Sequence, residues 1–319
     1  MSVLVTAYKH EEYIEECLDS IINQEFENYE ILVGVDDGGD NTLNILREIE
    51  AKHAEKVRII VNDPDNVIRV NGKRVGRANF LNILKHAKGQ YYARCDGDDY
   101  WCDPLKLKKQ VDFLDTHTEC MVCHHWQKVA IKNEEGNYVE REVARERLTG
   151  YFPKRVATLH DYFSYEFKVF TRAVMFRNTI DKFPDWFYEA PMGDFALPMI
   201  YGKYGNFGFI DEAMAVHRLS GEGMFSSQLA RLGKKEWAHR RLYKTIKLLE
   251  DGNKENSYKY TKEVERSISF LYFLNSLRYG FNGKLLVEYI SRLNSMDYPL
   301  SAFYYGFRRL LSSTLRRVL

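Results

Sequence analysis

Apolar and polar positions alternate in blocks over the first 120 residues. Val3–Tyr8 is a mostly apolar run, the pattern of a buried strand. Between Glu11 and Gln24 the residues Tyr13, Ile14, Cys17, Leu18, Ile21 and Ile22 are spaced to line one face of a helix. Tyr29–Val35 reads as a second strand, ended by Asp36-Asp37-Gly38-Gly39. Asp40-Asn41-Thr42 is placed to cap a helix running to about Lys52. Val57–Val61 is a third strand, and a helix follows near Ala78–Lys88 with Gly89 as its C-cap. Tyr91–Cys95 is a fourth strand, ending in Asp96-Gly97-Asp98-Asp99. Asp103, with Pro104 behind it, opens a helix to about Thr116. Strands alternating with helices through short links predict an α/β fold, a mostly parallel sheet with helices on both faces.

Beyond Glu119 the pattern changes. Met121–Ile131 and Tyr138–Val143 flank a turn-rich Asn133–Asn137 and predict a hairpin. A helix is expected over Gly193–Tyr204, and short strands over Phe207–Ile210 and Ala213–His217. From about Ser227 the chain reads as helical and rich in aromatic residues. The expected organisation is a sheet-bearing unit over residues 1–226 and a helical region over 227–319.

With 319 residues the chain is long enough to bury roughly 75% of its unfolded surface. Its 45% hydrophobic and 29% charged content places it among globular proteins rather than disordered or fibrous ones. No apolar run reaches the length of a membrane-spanning helix, and the first residues lack the basic and small-residue features of a signal peptide. Five cysteines are too few for a disulfide scaffold and favour a reducing, cytoplasmic setting. The near-neutral total charge conceals an asymmetry: residues 1–215 carry 27 basic and 36 acidic side chains, residues 216–319 carry 19 and 9. A basic region of that kind suits phosphate, nucleic acid or an anionic membrane.

Ligands of open parallel sheets sit at the carboxyl ends of the strands. Three such ends carry polar chemistry: Thr6-Ala7-Tyr8, Asp36-Asp37-Gly38 and Asp96-Gly97-Asp98-Asp99. Clustered carboxylates at a strand end suit a hard divalent cation that also bridges to phosphate; the alternative is a solvated acidic turn. Cys120-Met-Val-Cys-His124-His125 has the spacing of a haem or zinc motif, but it lies within an apolar strand pattern and is read as strand.

Five ordered blocks resemble the family 2 glycosyltransferases. They are Val3-Leu-Val-Thr-Ala-Tyr8 with Cys17-Leu-Asp-Ser-Ile21; Tyr29 to Gly38; Lys88 to Leu107; Gly193-Asp-Phe-Ala-Leu197; and Val216-His-Arg-Leu-Ser-Gly-Glu-Gly-Met-Phe-Ser226. The resemblance covers about residues 2–226 and implies the nucleotide-sugar-binding GT-A fold. By position it implies that Thr6, Ala7 and Tyr8 line the base pocket, that Asp37 reads uracil, and that Asp96 lies near the ribose. It makes Asp98 the main ligand of Mg²⁺ or Mn²⁺, with Asp99 a second ligand or a hydrogen-bonding group. Asp194 is implied as the catalytic base. Two departures stand out. The loop after the second strand is one residue shorter than the family's. In the closing segment His217 stands where the family usually has Tyr, and Ser220 where it usually has His. His217 is carried as a metal candidate and Arg218 as a contact to the departing diphosphate, against a surface ion pair for the latter.

The expected activity is inverting transfer of a sugar from a UDP-sugar to a hydroxyl of a glycan or lipid-linked glycan acceptor in bacterial surface polysaccharide synthesis. No nucleic-acid partner is expected, and a homo-oligomer is compatible with the sequence. The rivals are a metal-dependent nucleotidyltransferase, which would need a glycine- and lysine-rich phosphate loop after the first strand, and an inactive scaffold member of the same fold. Residues 298–319 hold four arginines and no acid. On a helix Phe303, Phe307, Leu310, Leu311 and Val318 would share a face, with Arg308, Arg309 and Arg316 mostly opposite. That pattern fits peripheral binding to the inner face of the cell membrane or a helix docked on the protein or on a partner.

Overall fold

The computed structural model describes residues 1–142, 154–165, 169–219, 224–279 and 283–318. The first strands and helices are β1 (Ser2–Ala7), α1 (Ile14–Ile22), β2 (Glu30–Val35), α2 (Thr42–Lys52) and β3 (Val57–Val61). A small hairpin, β4 (Ile68–Val70) and β5 (Lys73–Val75), leads into α3 (Arg77–Leu84), β6 (Tyr91–Asp96), β7 (Tyr100–Trp101) and α4 (Lys106–Thr116). Then come β8 (Cys120–Lys132), β9 (Tyr138–Glu142), β10 (Val156–Ala157), α5 (Leu159–Phe163), β11 (Val174–Arg177), α6 (Asp185–Glu189), α7 (Gly193–Tyr201) and β12 (Asn206–Leu219). Four helices follow: α8 (Met224–Glu255), α9 (Thr261–Tyr279), α10 (Gly283–Ser295) and α11 (Pro299–Val318).

The main sheet runs β10-β12-β8-β11-β6-β1-β2-β3. Strands β3, β2, β1 and β6 are mutually parallel, so Thr6, Gly34 and Asp96 lie side by side at one edge. β11 is antiparallel to both of its neighbours, β6 and β8. It is four residues long, too short for its apolar pattern to stand out in the sequence. β12 pairs in parallel with β8 over its whole length. Register shifts around Ile210–Ala215 explain why the sequence pattern shows two short strands there. Gly89 does not cap α3, which ends at Leu84. Its α-carbon lies instead against the start of β1, where a Cβ would come within 2.5 Å of the Met1 backbone. Asn41 holds the N-cap position of α2 but makes no side-chain capping bond.

Successive side chains of a strand point to opposite faces, and β1 shows the consequence. Val3 and Val5 enter one core with Ile14, Leu18 and Ile21 of α1 and Leu107 and Leu114 of α4. Leu4 enters the other with Phe80 and Ile83 of α3, Leu197 and Ile200 of α7, and Ile246, Ile268 and Tyr289 of the C-terminal helices. The helices after residue 224 therefore contribute to the same core as β1. α11 lies on α9 with Ala302 inside; a Cβ at Gly306 would come 2.9 Å from Phe273. Arg309 is buried too, donating to the Ser164 and Tyr165 carbonyls at 2.6 Å each, so it is not on an outward basic face. The side chains of Leu310, Leu311, Arg316 and Val318 lie outside the described residues. The Cys120–His125 segment is part of β8, with Cys120, Cys123, His124 and His125 all fully buried.

Lys106 is fully buried, donating to Gln110 Oε1 at 2.7 Å with its ammonium 3.8 Å from the centre of the Trp101 ring. Burial pulls it down to about 7. An unfolded lysine keeps its proton to about 10.4, so between these values the unfolded chain binds more protons. Stability from this group then rises with pH, by at most about 1.4 kcal/mol per pH unit. Denaturant unfolding of the protein and of Lys106→Met at pH 7, 8 and 9 is expected to show the native protein gaining on the variant as pH rises. A constant difference would mean that Lys106 stays charged in the fold.

Candidate functional site

The carboxyl edge of β1, β2 and β6 forms the floor of the site. Thr6 Oγ1 donates to Asp96 Oδ1 at 3.0 Å, joining β1 to β6. Ala7 is buried in the core, and Tyr8 is 49% exposed beside the strand ends. Of the two carboxylates after β2, Asp36 is the buried one. Its Oδ1 accepts from Asn62 Nδ2 at 3.0 Å and lies 3.1 Å from Arg74 NH2, reaching over from β5. Asp37 is exposed, and its Oδ1 accepts the Gly39 N–H at 2.9 Å.

The three carboxylates after β6 have unlike surroundings. Asp99 is fully buried. Its Oδ2 is ion-paired with Arg172, while Oδ1 accepts the Arg218 N–H at 2.9 Å and faces His217 Nδ1 at 3.2 Å. Burial opposes its ionisation, but Arg172, His217 and the Arg218 amide outweigh burial and hold the carboxyl below its ordinary value. Asp96 shares Arg172, at 3.6 Å. Asp98 is left over. Its side chain makes no hydrogen bond among the described residues, and burial, followed by the Asp99 charge, pushes its carboxyl above the ordinary value. Arg172 thus pairs directly with two of the acids, while Asp98 feels it and His10 only at a distance and stays the least compensated of the three.

Arg218 does not point into open cleft. It is 3% exposed, with its guanidinium 4.9, 4.9 and 5.1 Å from the ring centres of Tyr13, Tyr100 and Tyr138. NH1 donates to the Asp98 carbonyl at 2.7 Å, and NH2 pairs with Glu16. It braces the carboxylate loop from behind.

Asp194 is the second residue of α7, with Met192 at the N-cap, so it does not cap that helix. Its side chain is 53% exposed and lies 3.2 Å from Arg94 NH1. Arg94 sits on β6 two residues before Asp96, under the attraction of both Asp194 and Asp96. That arginine joins the strand of the acidic cluster to the helix of the proposed base. Asp103, read as a cap, accepts the Leu105 N–H at 2.8 Å and pairs with Lys109; it serves the turn into α4.

The structure therefore gathers Thr6, Asp96, Asp98, Asp99, His217 and Arg218 around one strand end, with Asp194 linked through Arg94. Sequence reasoning missed Arg172, Arg94 and Arg74. Arg172 and Asp99 are 73 residues apart, and no local pattern marks such a pair.

Residues 2–182 match the glycosyl transferase family 2 domain. The chain belongs to glycosyl transferase family 2. Among curated relatives of this family 2 chain, the putative glycosyltransferase EpsE of Bacillus subtilis is 34% identical over 122 residues, 38% of this chain and 41% of that protein. An E. coli protein, UDP-Glc:alpha-D-GlcNAc-diphosphoundecaprenol beta-1,3-glucosyltransferase WfaP, is 30% identical over 117 residues, covering 36% and 41%. An uncharacterized protein of Mycobacterium tuberculosis is 40% identical over 126 residues, covering 39% and 34%. The family 2 chain thus matches well under half the length of these relatives. Residues 1–349 of S. aureus TarS, in complex with UDP-GlcNAc, superpose with a TM-score of 0.54 at 17% identity, over 99% of this chain and 91% of that one. The mannosyltransferase PcManGT of Pyrobaculum calidifontis, in complex with GDP-Man and Mn²⁺, gives 0.53 at 13% identity, over 99% and 86%. At these identities the likeness establishes the fold, GT-A.

Proposed function

We propose that this family 2 chain is an inverting glycosyltransferase, moving a sugar from a UDP-sugar to a hydroxyl of a glycan acceptor in bacterial surface polysaccharide synthesis. The observation that carries the reading is Asp98, a poorly compensated carboxylate at the β6 edge, with a second, half-exposed carboxylate, Asp194, on a separate element. The name of the E. coli relative supplies the UDP-sugar and a diphosphoundecaprenol-linked sugar acceptor, and that lipid-linked acceptor supports the surface-polysaccharide setting. A nucleotidyltransferase finds no support in the β1–α1 turn, which lacks glycine.

Residues 1–226 would hold donor and base, and 227–319 would buttress them from the second core. Among the described residues no three His, Cys, Asp or Glu are placed to hold a metal by themselves. That fits Mg²⁺ or Mn²⁺ bound through one or two carboxylates and the substrate diphosphate. Asp98 has the open carboxylate for that ion, and His217 stands within reach of the same loop. Asp99, with both oxygens engaged, serves better to fix the loop. Bound there, the cation would neutralise the departing diphosphate. Arg218 would act by holding the Asp98 carbonyl rather than by touching the diphosphate. The deciding experiment is UDP release over a panel of UDP-sugars with Mn²⁺, with and without glycan acceptors. No release from any donor would favour the inactive-scaffold reading.

Asp37→Ala is expected to weaken UDP binding by about 1–3 kcal/mol, the scale for losing a hydrogen bond to a charged group. Calorimetry showing unchanged affinity would shift the uracil contact to Asp36.

A cytoplasmic location with peripheral contact to an anionic membrane is proposed for α11. No described helix is long and apolar enough to cross a membrane. What supports surface contact is exposed Leu300 and Tyr304, 85% and 65% exposed, flanked by Phe303 and Phe307, which are half exposed at the edge of Phe273, and by exposed Arg308. Because α11 is docked through Ala302 and Arg309, and through Phe303 and Phe307 against Phe273 of α9, the test is Leu300→Ser with Tyr304→Ser rather than deletion. Flotation with phosphatidylserine vesicles should fall, and undiminished flotation would leave α11 as a packing helix.

A further inference from the structure

The segment that delivers Asp194 is gripped by a residue from the nucleotide-binding half of the chain. Arg77, the first residue of α3, is 7% exposed. Its NH1 donates to the Tyr188 carbonyl at 2.7 Å and its NH2 to the Ala190 carbonyl at 2.6 Å. The guanidinium also lies 5.0 Å from the centre of the Phe187 ring. One planar group therefore holds the end of α6 at three points. Beyond Ala190 the chain turns back to Gly193, which rests on the same guanidinium. A Cβ there would come 3.1 Å from Arg77 Nε and 3.2 Å from NH2, tighter than side chains ordinarily approach. Nε has no hydrogen-bond partner among the described residues. Burial disfavours the charge on Arg77, and the Asp194 carboxylate next along the chain favours it.

We propose that Arg77 is a positioning residue for Asp194, fixing the path of Tyr188–Gly193 so that the carboxylate enters the cleft at the first turn of α7. This rests on the reading of Asp194 as the base. Only arginine can do this from α3, because a fork of N–H groups in one plane is needed to serve two carbonyls while glycine closes over its edge. The clamp is anchored on the donor side. Asn79, two residues on, donates to the Gly34 carbonyl of β2 at 3.0 Å. The β4–β5 hairpin immediately before α3 sends Arg74 to Asp36 at the end of that strand. The nucleotide end of β2 and the base on α7 are thereby tied to one helix.

The test uses Arg77→Lys, Gly193→Ala and the double variant of the full chain. Each single change is expected to lower kcat for transfer at least ~10-fold, since small misplacements of a reacting group are costly. KM for the UDP-sugar and UDP affinity should stay within about twofold, the mark of an effect on chemistry rather than donor binding. The double variant should be no worse than the poorer single, because both changes disturb one contact. Amide hydrogen exchange, which needs no activity, should speed up across residues 188–197 and not in β1 or β2. Wild-type kcat and exchange in both singles, or losses that multiply in the double, overturn the proposal. If Arg77→Lys does not fold, Gly193→Ala decides alone by the same two readouts. Asp194→Asn run in parallel separates the two ideas. Full activity in Asp194→Asn with faster exchange in the clamp variants removes the base and keeps the clamp. Lost activity in Asp194→Asn with unchanged exchange in the clamp variants removes the clamp and keeps the base.

Discussion

Asp98→Asn is expected to abolish sugar transfer and, in EDTA, to make the protein more stable. The two effects share a cause. Arg172 pairs directly with Asp99 and Asp96, whereas Asp98 has no side-chain hydrogen bond among the described residues; burial and the Asp99 charge push its carboxyl up further than His10 and Arg172 draw it down. A carboxyl whose folded-state pKa is raised costs stability at neutral pH, above that pKa, because the unfolded chain ionises it more easily. An amide of the same shape removes the cost, and a gain of ~0.5–2 kcal/mol is the usual scale for such a change. Loss of the ionised oxygen would also remove the proposed ligand of the diphosphate's counter-ion, so Mn²⁺ with UDP should raise the melting temperature of the native protein and not of the variant. Asp99→Asn should behave in the opposite way. It leaves partly buried Arg172 without its main counter-charge, with Asp96 still at 3.6 Å, a defect of at most ~3–5 kcal/mol. Calorimetric melting of the three proteins with and without Mn²⁺ and UDP checks both. Full transfer by Asp98→Asn, or full transfer in EDTA, would take the cation out of the mechanism.

Asp194→Asn is expected to keep its fold and its UDP affinity while losing at least ~10²-fold in transfer rate. An alcohol is a weak nucleophile at neutral pH, so its proton must be taken as the new bond forms, by a group across the sugar from the leaving diphosphate. Asp194 stands on α7, an element apart from the Asp98 loop, with its side chain half exposed and steadied by Arg94 at 3.2 Å. An asparagine keeps the size of the side chain but cannot take the proton. Its structural cost has two parts: the ion pair with Arg94 is weakened, though Arg94 keeps the attraction of Asp96, and a first-turn acid contributes ~0.3–1 kcal/mol through the helix dipole; no capping bond is lost. Stopped-time UDP release with saturating donor, alongside UDP calorimetry, separates rate from binding. A near wild-type rate would move the search for the base to Glu189.

The alternation of strand and helix as far as Thr116 was legible because each element there is long enough to show its period. Val57–Val61 is reproduced to the residue, and α1, β2, α4, β8 and α7 to within a few. What escaped was short or distant. β11 and the β4–β5 hairpin have three or four residues per strand, too few for a period, and their place depends on partners elsewhere in the chain. The carboxylates were visible because they cluster in four consecutive positions. The arginines that give each carboxylate its character were not, because each approaches alone from a remote element: Arg172 ahead of β11, Arg94 in the middle of an apolar strand, Arg77 at the head of a helix. Arg218 was visible by resemblance, but its tyrosine cage draws on Tyr13, Tyr100 and Tyr138, which no spacing rule connects.

The order of residues at the acidic loop has a consequence for synthesis on the ribosome. Asp99 precedes Arg172 by 73 residues and the Arg218 amide by 119. At ~5–20 residues per second, the nascent strand end waits about 4–15 s for its first counter-charge and longer for its second. Until then β6 also lacks β11 as a neighbour, so its outer edge stays unpaired. A fragment stopped at residue 182, where the family match ends, would contain Arg172 but neither His217 nor Arg218. Such a fragment would expose half of a charge clamp and an incomplete sheet, which makes it a poor candidate for independent expression.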